Sequence, residues 1–112
     1  MKVTVEMRGN AMVVMLGGEI DHHSAEEIRT KIDNALRKSS TKELIMNFAD
    51  VSFMDSSGLG VILGRYKKVK AMGGVLRVED VPKRIERILR MAGVYTLIGN
   101  GGERQGRQAG NE

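Results

Sequence analysis

The sequence predicts a single α/β domain in which helices pack on a mixed central sheet. Apolar residues make up 41% of the 112-residue chain, which is enough for one packed core. Strand-like and helix-like patterns alternate along the chain in the order β-β-α-β-α-β-α-β. Glycine or proline separates most of these segments, which indicates turns. Strands that alternate with helices favour a sheet built with right-handed crossovers.

The first three elements are a predicted hairpin and a helix. Residues 2–8 alternate apolar and polar side chains, and residues 12–16 form a second apolar run after a Gly-Asn turn signal. The glycine pair at 17–18 is predicted to end this strand. Residues 24–27 read Ser-Ala-Glu-Glu, the pattern of a capping box, and predict that a helix begins at Ser24 and ends near 39–41.

Three strands and two helices are predicted in the rest of the domain. Apolar runs of four or five residues predict the strands, and apolar residues spaced by three or four predict the helices. Gly73-Gly74 ends the second helix, and Pro82 begins the third, which Gly93 closes. The elements are expected at residues 44–48 (strand), 59–69 (helix), 75–78 (strand), 82–92 (helix) and 94–98 (strand).

The domain is expected to span residues 1–98 and to be followed by a Gly-rich tail at 99–112. This last segment contains five glycines and one aliphatic side chain, Ala109. It cannot bury enough apolar surface to offset the entropy lost on ordering, so a disordered tail is predicted.

Composition narrows the function classes. The absence of Cys excludes disulfides, thiolate metal sites and cysteine nucleophiles, and the two His are adjacent, so neither a metal nor another cofactor is expected. The chain has a formal charge of +4, but its cations are interleaved with apolar residues as on solvated helix faces, and no aromatic platform accompanies them. Direct nucleic-acid binding is therefore not predicted. Apolar runs fall short of the roughly 18 residues of a membrane span, so a cytoplasmic protein without a membrane anchor is expected.

The most unusual segment is the turn Asp55-Ser56-Ser57-Gly58 between a strand and a helix. Asp, Ser and Gly commonly begin helices, so capping alone is one interpretation. Two adjacent hydroxyls, however, exceed what one cap requires. Free backbone N–H groups and the helix dipole at this position stabilise a phosphate, which would add about −1.5 to −2 charges. These arguments predict a phosphorylation site but allow either serine.

The bulky residues Phe53 and Met54 directly precede this turn. Both are apolar, and both are expected to pin the turn against the body of the domain. The loop formed by residues 17–23, ahead of the first helix, is expected beside the turn, because both lie at helix-start ends of strands.

A serine hydrolase is an alternative interpretation of the same turn. A nucleophilic serine needs a base and an orienting acid, and Asp21, His22 and His23 are the only candidates. The Gly-x-Ser-x-Gly pattern is absent. The protein is therefore not expected to be an enzyme.

A nucleotide-binding site is a second alternative, because Gly58, Gly60 and Gly64 imitate a dinucleotide fingerprint. That fingerprint opens directly after its strand, whereas about nine residues separate Phe48 from Gly58. The pattern is also one residue too long. We expect these glycines to let the helix pack closely on the sheet.

Two motifs carry a family resemblance. The segments EIDHH at 19–23 and SFMDSSGLGVILGRYK at 52–67 resemble the bacterial anti-sigma-factor antagonists of the STAS-domain family, in particular those of sporulation. The resemblance covers about residues 2–98 in the same element order. Family members usually continue into a fourth helix, whereas the tail from Gly99 has no apolar stripe.

The resemblance implies a partner-switching protein. The unphosphorylated antagonist binds an anti-sigma factor that is also an ATP-dependent serine kinase, and so frees the sigma factor. Phosphorylation of the first serine of the turn, Ser56, abolishes binding, and a serine phosphatase reverses it. The implied partner-binding residues are Asp21, His22, Asp55, Ser57 and Gly58. Alternatives are a STAS-type scaffold module in a signalling or transport complex, and a small nucleotide-binding protein.

Overall fold

Residues 1–100 are the part of the chain that the computed structural model describes. The elements are β1 (Lys2–Arg8), β2 (Ala11–Ile20), α1 (His22–Arg37), β3 (Glu43–Met54), α2 (Ser56–Ala71), β4 (Val75–Glu79), α3 (Lys83–Met91), a 3-10 helix (Val94–Thr96) and β5 (Gly99–Asn100). Of the tail predicted at 99–112, the first two residues form β5, and residues 101–112 lie outside the described part.

The five strands form one mixed sheet in the order β1-β2-β3-β4-β5. β1 pairs with β2 in antiparallel fashion, and the other neighbours are parallel. Right-handed crossovers between sequential parallel strands leave all three helices on one face. The predicted α/β class and mixed sheet are confirmed. Because the parallel strands end at the same edge, the starts of α1 and α2 meet at one end of the molecule, here called the helix-start end.

The main core lies between the sheet and the three helices. Alternate residues of the strands point to the helices, and each helix contributes one apolar stripe. Fully buried members are Val14, Leu44, Phe48, Leu76, Ile28, Ile32, Ile62, Ile85 and Leu89.

The opposite face of the sheet carries a polar link. The Arg8 guanidinium on β1 donates to both carboxylate oxygens of Glu79 on β4, at 3.0 and 2.9 Å. The Asn47 amide donates to Glu79 Oε2 at 2.8 Å and to Asp80 Oδ2 at 2.9 Å. This network joins three strands on the face that also carries a small apolar cluster formed by Ala11, Val13 and Ile45.

A charged contact connects α1 and α2. Arg65 Nε lies 3.0 Å from Asp33 Oδ1, and Lys68 Nζ lies 3.5 Å from Asp33 Oδ2. Arg65 is only 5% exposed, and its burial lowers the pKa of the guanidinium. Asp33 is thus the counter-ion that makes burial of Arg65 tolerable.

Several predicted boundaries are wrong. β2 continues to Ile20 instead of ending at Gly17-Gly18. The pairing with β3 shifts register on either side of the two glycines, and Gly18 has a φ of +103°, so the strand passes through them without ending. β3 continues to Met54, well beyond residue 48. The strand predicted at 94–98 is a 3-10 helix at Val94–Thr96, and the last strand follows it at Gly99–Asn100.

Candidate functional site

The ends of two neighbouring parallel strands bring the starts of α1 and α2 together. Ile20, the last residue of β2, pairs with Met54, the last residue of β3. The backbone N–H of Asp55 donates to the carbonyl of Ile20 at 3.1 Å. Asp21 and Asp55, which follow directly, are the N-caps of α1 and α2. Two of the predicted site residues therefore lie at adjacent helix starts.

Asp21 caps α1 through a reciprocal capping box. Ser24 N–H donates to Asp21 Oδ1 at 3.0 Å, and Asp21 N–H donates to Ser24 Oγ at 2.9 Å. The hydroxyl of buried Ser24 also donates to the carbonyl of Glu19 at 2.9 Å. The prediction that Ser24 is the N-cap is wrong. Ser24 is the third helical residue, and its hydroxyl accepts the hydrogen bond from the backbone N–H of the N-cap Asp21.

The cap makes the stability of α1 depend on pH. The Ser24 N–H holds the pKa of Asp21 below its usual range. A lowered folded-state pKa gives stability that is present above the unfolded value, about 4, and is lost as pH falls through the folded value. We expect Asp21→Asn, which caps without a charge, to lower the melting temperature at pH 7 and to match wild type at strongly acidic pH.

Melting temperatures of wild type, Asp21→Asn and Asp21→Ala between acidic and neutral pH measure this effect. Asp21→Ala loses the cap and should stay less stable than Asp21→Asn throughout. The exposed Asp50 on β3 caps no helix, so Asp50→Asn controls for net charge. If the difference in melting temperature between wild type and Asp21→Asn did not become smaller at acidic pH, the stabilising role of the Asp21 charge would be contradicted.

The two serines of the turn have different surroundings. Ser57 N–H donates to Asp55 Oδ1 at 2.9 Å, and the Ser57 hydroxyl bonds the same oxygen. Ser57 is half-buried, whereas Ser56, the first residue of α2, is exposed. Within residues 1–100 the Ser56 hydroxyl has no hydrogen-bond partner. The turn therefore presents one free hydroxyl to solvent and engages the other in its own cap.

Gly58 lets the start of α2 pack on the strand ends. A Cβ at this position would lie 2.4 Å from Met54 Cγ and 3.2 Å from Ile20 Cγ2. Gly58 itself is buried, so its contribution is to let the turn pack closely on the strand ends. Among the glycines of α2, the expected close packing on the sheet applies to Gly58 alone, because a Cβ at Gly60 or Gly64 would meet open space.

The observed end of β3 at Met54 revises the comparison with a dinucleotide-binding fingerprint. β3 runs to Met54, so three residues separate it from Gly58 instead of about nine. All three glycines nevertheless lie inside α2, with Asp55 as its cap, and none forms a loop ahead of the helix. The phosphate-cradling loop of a dinucleotide site thus has no counterpart here.

Phe53, which the sequence predicts to be packed against the domain, lies on the surface. Met54 is 3% exposed and pins the turn as expected, but Phe53 is 45% exposed, so the prediction that both residues pin the turn is wrong. Toward its end β3 departs from strict alternation, with Val51 and Met54 buried and Ser52 and Phe53 exposed, so no period-2 pattern in the sequence indicates this. An exposed aromatic ring three residues ahead of Ser56 is a natural contact for a protein partner.

His22 and His23 are exposed and occupy the first turn of α1, so the loop predicted at 17–23 is instead strand, cap and helix. Their ring centroids are 6.0 Å apart. Among the described residues no three His, Cys, Asp or Glu side chains converge as metal ligands would. Nor does any helix within residues 1–100 combine the length and apolarity needed to cross a bilayer.

A polar cleft of about 440 Å³ opens beside the start of α1. Its walls are formed by Met1, Glu19, Asp21, His23, Ser24 and Glu27. Ser56 is exposed and is not among the residues that line this cleft. The helix-start end therefore exposes a hydroxyl, an aromatic ring and several carboxylates.

Known proteins are similar to this chain in sequence and in fold. A family model for the STAS domain matches residues 2–104. The anti-sigma F factor antagonist of Paenibacillus polymyxa is 36% identical over 98 residues, which cover 88% of this chain and 84% of that protein. The structure of the unphosphorylated anti-sigma factor antagonist SpoIIAA superposes with a TM-score of 0.77 at 32% identity, covering 88% of this chain and 87% of SpoIIAA.

A structure of SpoIIAA from Bacillus in its phosphorylated form also matches, with a TM-score of 0.70 and 32% identity over 88% of this chain and 90% of that one. The sequence comparison and both structural comparisons each cover 88% of this chain. The chain therefore belongs to the STAS-domain family, among its anti-sigma-factor antagonists.

Proposed function

We propose that this protein is an anti-sigma-factor antagonist switched by phosphorylation of Ser56. In its unphosphorylated form it binds an anti-sigma factor that is also an ATP-dependent serine kinase, and thereby releases the sigma factor. Phosphorylation of Ser56 ends binding, and a serine phosphatase restores it. Relatives described as antagonists of anti-sigma factors, one of them in phosphorylated and unphosphorylated forms, support this proposal.

The observation that carries the proposal is the difference between the two serines. A kinase needs an accessible hydroxyl that can enter its active site. The Ser56 hydroxyl is exposed and unengaged within the described residues, whereas the Ser57 hydroxyl is bonded to Asp55. Phosphorylating Ser57 would break that bond and place a dianion beside the capping carboxylate. This asymmetry favours Ser56.

The proposed partner surface surrounds Ser56 at the helix-start end. His22 and Phe53 are exposed there, and the half-buried Asp21 and Asp55 face the same end. Ser57 and Gly58 support the acceptor by fixing the backbone of the turn. The protein acts by binding and by being a kinase substrate, without catalysis of its own. Its proposed partners place it in the cytoplasm.

The test is mass spectrometry after incubation with the cognate anti-sigma kinase and ATP. Wild type, Ser56→Ala and Ser57→Ala are compared as intact proteins and as peptides. We expect one added phosphate on wild type and Ser57→Ala, and none on Ser56→Ala. The Ser57→Ala variant is a matched control, because its backbone N–H can still bond Asp55.

A phosphate that persists in Ser56→Ala and disappears in Ser57→Ala would contradict the assignment. Absence of phosphate from every sample, with a kinase shown to be active, would instead favour a STAS-type scaffold module. Direct nucleotide titration would then test the remaining alternative.

A further inference from the structure

Strand β1 leaves one edge of the sheet open. It lies at the end of the strand order, and within residues 1–100 it pairs only with β2. All seven residues of Lys2–Arg8 are in strand conformation, and Val5 and Met7 are 38% and 52% exposed. A long edge strand with exposed apolar side chains is a template for pairing with another strand.

The sequence of β1 is complementary to itself in one antiparallel register. Opposed residues in such a pair share a face of the sheet. Centring the pair on Thr4 places Lys2 of each copy opposite Glu6 of the other, on the face without helices. On the other face, Val3 lies opposite Val5 and Met1 opposite Met7, so that the exposed apolar side chains of this edge meet. Opposite-charge and apolar pairs of this kind stabilise adjoining strands.

Registers slipped toward Arg8 are disfavoured by charge. A pair centred on Val5 places Lys2 opposite Arg8 twice, and a pair centred on Glu6 places the two Glu6 carboxylates directly against each other. Like charges in directly opposed positions destabilise a strand pair. In the register centred on Val3, Lys2 lies opposite Thr4, so the attractive Lys2–Glu6 pairs are lost. The charged side chains of β1 therefore favour the Thr4 register over its neighbours.

We propose that a second copy of this chain adds to the edge of β1, with a twofold axis at Thr4 and one continuous ten-stranded sheet. The two copies run antiparallel at the axis, so their helix-start ends point in opposite directions. Each Ser56 stays accessible in the dimer. The dimer is thus independent of the phosphorylation switch.

Single cysteines test the register, because the chain has no Cys of its own. At the axis, Thr4→Cys faces its own copy at the Cα separation that a disulfide requires. Glu6→Cys would lie about 13 Å from its copy, four residues along the strand, which is too far. Lys31→Cys, on the exposed side of α1, measures random collision.

Under mild oxidation we expect Thr4→Cys to form a covalent dimer at least tenfold faster than Glu6→Cys or Lys31→Cys. Equal rates for the three variants would overturn the proposal. Faster cross-linking of Glu6→Cys than of Thr4→Cys would overturn this register.

Charge reversal supplies a second measurement on the full chain. Sedimentation should show that Lys2→Glu and Glu6→Lys each weaken self-association at least fivefold. The double variant Lys2→Glu/Glu6→Lys exchanges the two charges and should restore association. Wild type that stays monomeric at every concentration, or a double variant as weak as the single ones, would contradict the proposal.

Discussion

The variant Ser56→Asp is expected to bind the cognate anti-sigma kinase on the order of 100-fold more weakly than wild type. The new carboxylate would stand on the exposed first turn of α2, close to the capping carboxylate of Asp55 and near the start of α1 with Asp21. Covering this charge with a partner that evolved to meet a neutral hydroxyl costs about 3 kcal/mol, and each 1.4 kcal/mol is tenfold in affinity. A true phosphate, with nearly twice the charge, should weaken binding further.

Titration calorimetry with the purified kinase measures the effect. Ser40→Asp is the matched control, because Ser40 is exposed in the segment between α1 and β3, at the opposite end of the molecule. It should bind like wild type. Circular dichroism should show an unchanged fold for both variants, since an acid at a helix start is compatible with the helix dipole. Equal affinities for Ser56→Asp and wild type would refute a switch based on local charge.

A second large effect is expected at the contact between α1 and α2. Asp33→Ala should lower the free energy of unfolding by about 3 kcal/mol, because it leaves a buried guanidinium without its counter-ion. Arg65 is almost fully buried, and its Nε lies 3.0 Å from the Asp33 carboxylate. Replacing both partners, as in Asp33→Leu/Arg65→Met, removes the unpaired charge and should recover most of this loss.

Urea unfolding of these variants gives the free energies. The matched control is Glu27→Ala, which removes an exposed pair with Lys31 at 3.4 Å and should change stability by about 0.5 kcal/mol or less. If Asp33→Ala and Glu27→Ala had similar effects, or if the double variant were as unstable as Asp33→Ala, the Asp33–Arg65 contact would not be a buried ion pair in solution.

The sequence was sufficient for the fold class and the element order because both follow from local periodicity. Boundaries depended on tertiary contacts and were less predictable. Gly17-Gly18 reads locally as a strand end, but pairing with β3 carries the backbone through both glycines to Ile20. The segment after Phe48 lacks a continuous apolar run because part of it is exposed, yet it remains in β3 because it pairs with β2 as far as Met54.

The candidate site was predictable as a set of residues but not as a geometry. The turn 55–58 and the segment 19–23 stood out in the sequence, and the structure places their helix starts side by side. The sequence pattern predicts Ser24 as the N-cap of α1, whereas Asp21 is the cap and Ser24 lies at the third helical position, since both residue types can begin a helix. The inequality of Ser56 and Ser57 depends on which hydroxyl reaches Asp55, and the contact of Arg65 with Asp33 depends on two helices packing together. Neither is encoded in local spacing.

The central claim is that the phosphorylation state of Ser56 controls release of a sigma factor. The most direct measurement adds this protein, in unphosphorylated and kinase-phosphorylated forms, to a preformed complex of the cognate sigma factor and anti-sigma kinase. Released sigma factor is then followed by size-exclusion chromatography. We predict release by the unphosphorylated form and none by the phosphorylated form, with release restored after phosphatase treatment. Equal release by both forms would contradict the switch.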